Sequence, residues 1–169
     1  MDIWTILSSL ETTRIGEFIQ LSDWAFPAVE VVHVIAIVLV YGVIAIVDLR
    51  LLGLAGRTRR YADLAADSLQ LVWIAFALAV VTGTLMFMAQ ATAYAKNPFF
   101  LTKMVFIALA GINMLVMEFV ISRTRHEWGD GQRGIPVAAR IAGALSLSFW
   151  TVVVVCGRWI GFTMFNAPF

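Results

Sequence analysis

The sequence is poor in the residues from which disulfide frameworks and most soluble active sites are built. It has one cysteine, Cys156, and two histidines among 169 residues, so neither an internal disulfide nor a thiolate metal cage can form. Charged residues make up 14% of the chain, against about 25% in an average soluble domain. The formal net charge of +1 excludes a generally basic nucleic-acid-binding protein.

Apolar residues take the place of these missing groups. They form 61% of the sequence, and the mean hydropathy is +0.88. Four apolar runs, at about residues 27–47, 69–89, 99–121 and 136–162, reach the roughly 20 residues that a helix needs to cross a bilayer. Because the connections between them are short, successive helices should be antiparallel neighbours. The sequence therefore predicts an all-α fold, a polytopic membrane four-helix bundle formed by residues 23–169.

Residues 1–22 form a separate segment in this scheme. They lack a basic n-region and an Ala-x-Ala site, so they do not resemble a signal peptide. Their apolar residues fall on one side of a helical wheel, which predicts an N-terminal amphipathic interfacial helix on the outer face of the bilayer. A helix packed over the mouth of the bundle would give the same pattern.

Arginines set the expected orientation. They are concentrated in the connections after the first and third spans, at positions 50, 57, 59, 60, 123, 125 and 133. The positive-inside rule places these connections in the cytoplasm and both termini outside. We therefore expect a multi-pass protein of a bacterial inner membrane, with periplasmic N- and C-termini and the lipid bilayer as its first partner.

His33 is the histidine that lies within a span, since His126 falls in a connection. Counting 1.5 Å per residue, it lies about 9 Å below Pro27. Glu30, Lys103 and Arg158 fall in the same layer near the outer face. An ionisable residue inside a span is costly and marks a functional site by default.

Helical wheels predict which faces turn inward. The first span carries a polar-ended stripe that includes His33 and runs down to Asp48. The third span has one that includes Lys103. For the second and fourth spans the predicted stripes are Gln70, Trp73, Ala77, Thr84 and Met88, and Arg140, Leu147, Thr151 and Arg158.

Haem b is the cofactor that these residues favour. Neutral imidazole is a good axial ligand, and four-helix bundles often hold haem in their core. Lys103 and Arg158 would bind the two propionates, and Glu30 would orient the site. A sixth ligand would come from Met88, Met104, Lys103 or the His33 of a second copy, or the iron would be five-coordinate.

Three other interpretations stay open. The same residues could form internal ion pairs and interhelical hydrogen bonds in a cofactor-free scaffold or assembly subunit, with His33 bonded to Thr84 or to a carbonyl. Copper is an alternative metal, because Cu(I) suits imidazole and thioethers, and methionines 86, 88, 104 and 164 lie near His33 in depth. A proton pathway could follow the first span through Tyr41 to Asp48.

The inner ends of the spans carry a second polar layer, made of Asp48, Arg50, Gln70, Glu118 and Arg140. Its near balance of charge predicts ion pairs rather than chemistry. Gly157 and Gly161 form a small-xxx-small pattern, which predicts close helix contact within the bundle or between copies. We therefore expect a homo-oligomer or a subunit of a larger membrane complex, acting in electron transfer or as an accessory rather than as a stand-alone enzyme.

Five motifs carry a resemblance to a family of short bacterial inner-membrane proteins of unknown function. They are Pro27-x-x-Glu30-x-x-His33, Asp48-Leu-Arg-Leu-Leu-Gly53, Thr82-Gly-Thr-Leu-Met-Phe87, Asn97-Pro-Phe-Phe-Leu-Thr-Lys103 and Gly157-Arg-Trp-Ile160. The resemblance implies a fold and a location. In architecture the chain is also similar to the haem-bearing four-helix anchors of membrane oxidoreductases, which usually show two span histidines.

Overall fold

The computed structural model describes residues 2–54, 61–121 and 134–165, with side chains over 2–54, 70–120 and 134–164. The N-terminal segment forms two short helices, α1 (Ile3–Glu11) and α2 (Arg14–Leu21), rather than one. Thr13 causes the break, because its side chain accepts a hydrogen bond from Gly16 N at 3.2 Å and so caps α2. Both helices pack over one end of the bundle.

Four further helices contain segments long and apolar enough to cross a membrane. They are α3 (Ala25–Leu51), α4 (Tyr61–Ala89), α6 (Pro98–Val116) and α7 (Val137–Phe165), and the short α5 (Ala91–Lys96) joins α4 to α6. The apolar segments themselves are Ala25–Leu51, Gln70–Ala89, Pro98–Val120 and Val137–Met164. The predicted all-α fold with four spans is confirmed, and the chain is a multi-pass membrane protein.

Sequence signals account for the start of α6. Asn97 Oδ1 accepts a hydrogen bond from Phe99 N at 2.9 Å, and Pro98 takes the first helical position, where its missing N–H costs nothing. At its other end α6 passes into a π-helical turn, Met117–Ile121. The start of α6 at Pro98 places Lys103 in the second turn of the helix.

The core lies where the four long helices meet. α3 packs against α4 and α7, and α7 packs against α6. Val40 of α3, Ala75 of α4, Ala110 of α6 and Trp150 and Val153 of α7 are buried together. This cluster combines the large indole of Trp150 with small alanines of α4 and α6, so that the bundle core packs without large voids.

The inward stripe predicted for α4 is wrong. Gln70, Ala77 and Thr84 are exposed, and Trp73 is 51% exposed. The face that packs is instead made of small residues, namely Ala75, Ala79, Thr82 and Ala89. In lipid, close backbone approach stabilises helix pairs more than apolarity does, so small residues mark the interface.

The stripe predicted for α7 is also wrong. Arg140, Thr151 and Arg158 are exposed, whereas Ala139, Gly143, Trp150, Val153 and Cys156 are buried. Gly143 allows the closest approach, since a Cβ there would lie 3.1 Å from Leu51 Cβ and 3.3 Å from the Asp48 carbonyl. Small residues again form the contact, here between α7 and α3.

We call the end of the bundle that carries α1, α2 and α5 the hairpin end, and the end that carries Asp48, Arg50 and Arg140 the arginine end. The connections that hold Arg57, Arg59, Arg60, Arg123, Arg125, His126 and Arg133 lie outside the described residues. At the hairpin end, Glu11 Oε1 accepts hydrogen bonds from Thr92 N at 2.8 Å and Thr92 Oγ1 at 2.7 Å. This side chain therefore holds the α1–α2 hairpin to α5.

Candidate functional site

His33 lies in α3, two turns in from its start at the hairpin end, and hydrogen-bonds α4. Its Nδ1 is 2.9 Å from Thr82 Oγ1. The Thr82 hydroxyl has one hydrogen, which it donates to the Leu78 carbonyl at 2.7 Å. With the hydroxyl hydrogen on the Leu78 carbonyl, Thr82 Oγ1 accepts from the imidazole, and we assign the proton of a neutral His33 to Nδ1 on this arrangement. Nε2 consequently carries a free lone pair.

The imidazole also packs against the backbone of α4. A Cβ placed on Gly83 would lie 3.0 Å from Cε1, 3.6 Å from Nδ1 and 3.9 Å from Nε2 of His33. A real side chain at position 83 would therefore push the ring away. Thr82 and Gly83 together fix both the direction and the depth of the ring.

Lys103 brings a positive charge to the same layer. The side chain is half-buried, and its Nζ lies 3.8 Å from the position that a Cβ of Gly157 would take. The ammonium is close enough to interact electrostatically with His33 and with Cys156. Lys103 makes no hydrogen bond or ion pair with any residue that the structure describes.

Glu30 is placed at the edge of this layer. Its side chain is exposed and forms no ion pair with Lys103 or Arg158 among the described residues. Its charge acts instead on Tyr94 of α5, which packs against the rings of Phe87 and Phe100 at centroid distances of 6.2 and 5.3 Å. Burial, with the nearby Glu30 carboxylate, raises the pKa of Tyr94 to about 12.

Arg158 turns away from the imidazole. The side chain is exposed, and its guanidinium carbon lies 4.9 Å from the centroid of the Phe162 ring, one turn further along α7. It shares a depth with Lys103 but belongs to the surface of the bundle.

The four methionines differ in exposure. Met86, Met88 and Met164 are half-buried, whereas Met104 is 48% exposed on the surface of α6. No group of three or more His, Cys, Asp or Glu side chains suited to a metal ion occurs among the described residues. That part of the chain therefore forms no metal site from three or more of these four types of side chain.

At the arginine end, the side chains of Asp48 and Arg50 are only 5% and 7% exposed. Asp48 hydrogen-bonds Ser146 of α7, and Arg50 also has an interaction partner. Gln70, Glu118 and Arg140 are exposed. Midway between the two ends, Tyr41 Oη lies 3.1 Å from Thr151 Oγ1.

Sequence reasoning missed Thr82 and Gly83 as parts of the His33 site. It named Thr84 as a hydrogen-bond partner, but the Thr84 hydroxyl donates to Val80 O at 2.8 Å on the exposed face of α4. The available signal was the pair of small residues, Thr82-Gly83, at the same depth as His33. Small residues allow a close approach to a helix, and a threonine hydroxyl can hydrogen-bond to a neighbouring helix.

Comparison with known proteins places the chain in a family without assigning an activity. No curated protein and no solved structure matches it. A family model matches residues 23–163 and so covers all four spans, His33, Thr82, Lys103 and Asp48. The chain therefore belongs to DUF6644, a family of unknown function.

Proposed function

We propose that this protein is a small membrane subunit that binds haem b at its hairpin end through Nε2 of His33. The observation that carries the proposal is the hydrogen bond between His33 and Thr82, at 2.9 Å. Histidines that ligate metals almost always donate their other ring N–H to a nearby acceptor, which fixes the tautomer and raises the basicity of the ligating nitrogen. Thr82 supplies that acceptor here.

Lys103 supplies the second support. A charge within a span is expensive unless something pairs with it, and no described residue pairs with this ammonium. A haem propionate is an anion of the required kind, and bound haem would bring one to the layer that Lys103 and His33 share. Arg158 and Glu30, both exposed, would contact the rim of the site.

The donor set defines the coordination that this chain can offer. His33 gives one nitrogen, and Met88, half-buried at the end of α4, is the thioether that remains as a candidate sixth ligand. Met104 is a poorer candidate because it is 48% exposed. Bound haem would supply one-electron chemistry, while the protein residues hold the iron ligand and balance the propionate charge.

A cofactor-free scaffold is the second candidate, and Gly83 favours it. The contact of the His33 ring with Gly83, at 3.0 Å from a Cβ position, would stabilise the α3–α4 pair whether or not anything binds. Under this alternative the His33–Thr82 hydrogen bond is an interhelical contact and nothing more.

We place the protein in a bacterial inner membrane, with the hairpin end at the periplasmic side. Support comes from the arginine-rich connections, which the positive-inside rule assigns to the cytoplasm. The haem would then lie near the periplasmic surface, within reach of a redox partner in that compartment or in the same membrane complex.

An absorption spectrum of the full-length protein, purified in mild detergent from cells supplied with haem precursor, tests the proposal. We expect a Soret band that His33→Ala abolishes and that His126→Ala leaves unchanged. His126 is the matched control because the chain has two histidines and this one lies outside the spans. A colourless full-length protein, or a band that His33→Ala does not affect, contradicts haem binding. Metal analysis of the same sample measures copper directly.

A further inference from the structure

An open groove with a volume of about 420 Å³ lies at the hairpin end. Neither His33 nor Thr82 lines it. It runs between α2 and the first turns of α3, with one side formed by the last turns of α4. Its lining residues include Arg14, Phe18, Trp24, Ala28, Val29 and Leu85. All of them except Arg14 are apolar.

The rim of the groove is apolar and exposed. Ile15, Phe18 and Trp24 are 53%, 57% and 68% exposed, and the Phe18 and Trp24 rings meet edge to face with centroids 6.1 Å apart. Leaving such a surface in water would cost about 25 cal/mol per Å² of apolar area. Aromatic residues of this kind are typical of the depth where hydrocarbon meets headgroups, so a hydrocarbon chain suits the groove.

Arg14 adds a charge to the mouth of the groove. It begins α2, where a cation opposes the helix dipole, so its position does not serve the stability of that helix. It makes no hydrogen bond or ion pair with any described residue. A guanidinium at the edge of an apolar groove is suited to hold a phosphate through two parallel hydrogen bonds.

Glu17 supplies the opposite charge one helical turn away. It lines a smaller neighbouring cavity together with Arg14, Phe18, Leu21 and Ser22. Residues three apart share a helix face, yet no ion pair between Arg14 and Glu17 is present in the structure. The rim therefore displays a cation and an anion side by side, which complements a headgroup that itself carries both charges.

We propose that this groove binds one molecule of phosphatidylethanolamine. One acyl chain lies along Ala28, Val29 and Leu85, the phosphate binds Arg14, and the ammonium binds Glu17. The lipid completes the packing between the α1–α2 hairpin and the bundle. Its binding does not depend on a cofactor at His33.

Native mass spectrometry of the full-length protein tests this site, with phosphatidylethanolamine and phosphatidylglycerol supplied in equal amounts in mixed micelles. We expect phosphatidylethanolamine to be retained, and Arg14→Gln to reduce its retention by about tenfold, the effect of losing a charge-assisted hydrogen bond. Lys96→Gln is the matched control. Its ammonium is also exposed at the hairpin end, 5.4 Å from the Trp4 ring, but it does not line the groove.

Two further variants separate the parts of the site. Glu17→Gln should shift the preference towards phosphatidylglycerol, because the anion that repels a net negative headgroup is gone. Ala28→Phe should exclude the acyl chain and lower the retention of both lipids while the helical circular dichroism spectrum is preserved, since Ala28 is exposed. Equal retention of lipid by Arg14→Gln and Lys96→Gln, or no change of preference in Glu17→Gln, would overturn the proposal.

Discussion

At the scale of single residues, the chemistry of His33 is set by two consecutive positions of α4. Thr82 accepts from Nδ1, and Gly83 leaves the space that the ring occupies. That His33 and Lys103 lie in the same layer could be predicted from their spacing along the spans. The partner residues could not, because which face of α4 turns inward depends on backbone approach rather than on polarity.

Thr82→Val tests the role of the hydroxyl. It removes the acceptor for Nδ1–H and should lower haem affinity about 10- to 100-fold, the usual cost of losing the group that orients a metal-ligating histidine. Thr82→Ser keeps the oxygen and should bind as the parent does. Haem titrations followed in the Soret region measure both. A parent-like affinity in Thr82→Val would show that the hydrogen bond does not orient the ligand.

Tyr94 gives a prediction that is independent of any cofactor. Its pKa is raised to about 12, against about 10 for an unperturbed phenol. Between these values the unfolded chain loses the proton while the folded chain keeps it, so Tyr94 should reduce folding stability as the pH rises from about 10 to 12. Below pH 10 this effect is absent.

The difference between the ultraviolet titration of the parent protein and that of the Tyr94→Phe variant isolates the Tyr94 phenol. We expect a midpoint near pH 12, and a lower midpoint in Glu30→Gln, because the carboxylate contributes to the shift. A difference titration centred at pH 10 would mean that the ring is not buried between Phe87 and Phe100.

At the scale of elements, a local cap accounts for the start of α6. Asn97 and Pro98 begin this helix, because the cap bond to Phe99 N and the proline at the first position are both local interactions. The N-terminal segment was predicted as one amphipathic helix, yet it divides at Thr13, since the Thr13 side chain competes for the backbone of the next turn. The predictions of the inward faces of α4 and α7 are wrong for a different reason. In long apolar helices, small residues rather than polar ones decide which face packs.

Gly143 and Gly161 form a matched pair for testing that explanation. A Cβ on Gly143 would lie 3.1 Å from Leu51 Cβ, whereas a Cβ on Gly161 meets nothing within 4 Å. Gly143→Ala should lower the free energy of unfolding by about 1–3 kcal/mol through overpacking. Gly161→Ala should change it little or raise it, because alanine favours helix. Unfolding followed by circular dichroism in mixed micelles measures both, and an equal response would contradict the α3–α7 contact.

At the scale of the whole molecule, the apolar composition indicates a membrane protein, and the four apolar runs give the number of spans. Four apolar runs within a chain of 169 residues leave few other folds. Which helices pack together could not be predicted. In the structure α4 packs against α3, α3 against α7 and α7 against α6, and the residues that form these interfaces are far apart in sequence.

Orientation is testable at this scale with cysteine accessibility. In a Cys156→Ala background, Ser8→Cys at the hairpin end and Leu54→Cys at the arginine end each introduce one exposed thiol. A membrane-impermeant maleimide added to intact spheroplasts should label Ser8→Cys and leave Leu54→Cys unlabelled until the cells are lysed. The reverse pattern would place the hairpin end in the cytoplasm.

Nitrogen NMR of the His33 imidazole reports both its tautomer and its binding to iron. The His126→Asn variant, labelled with ¹⁵N-histidine in micelles, leaves one imidazole to observe before and after haem is added. We expect a neutral ring with its proton on Nδ1, and an Nε2 resonance that shifts or broadens beyond detection when haem binds. A proton on Nε2, or an Nε2 resonance unchanged by haem, would contradict this expectation.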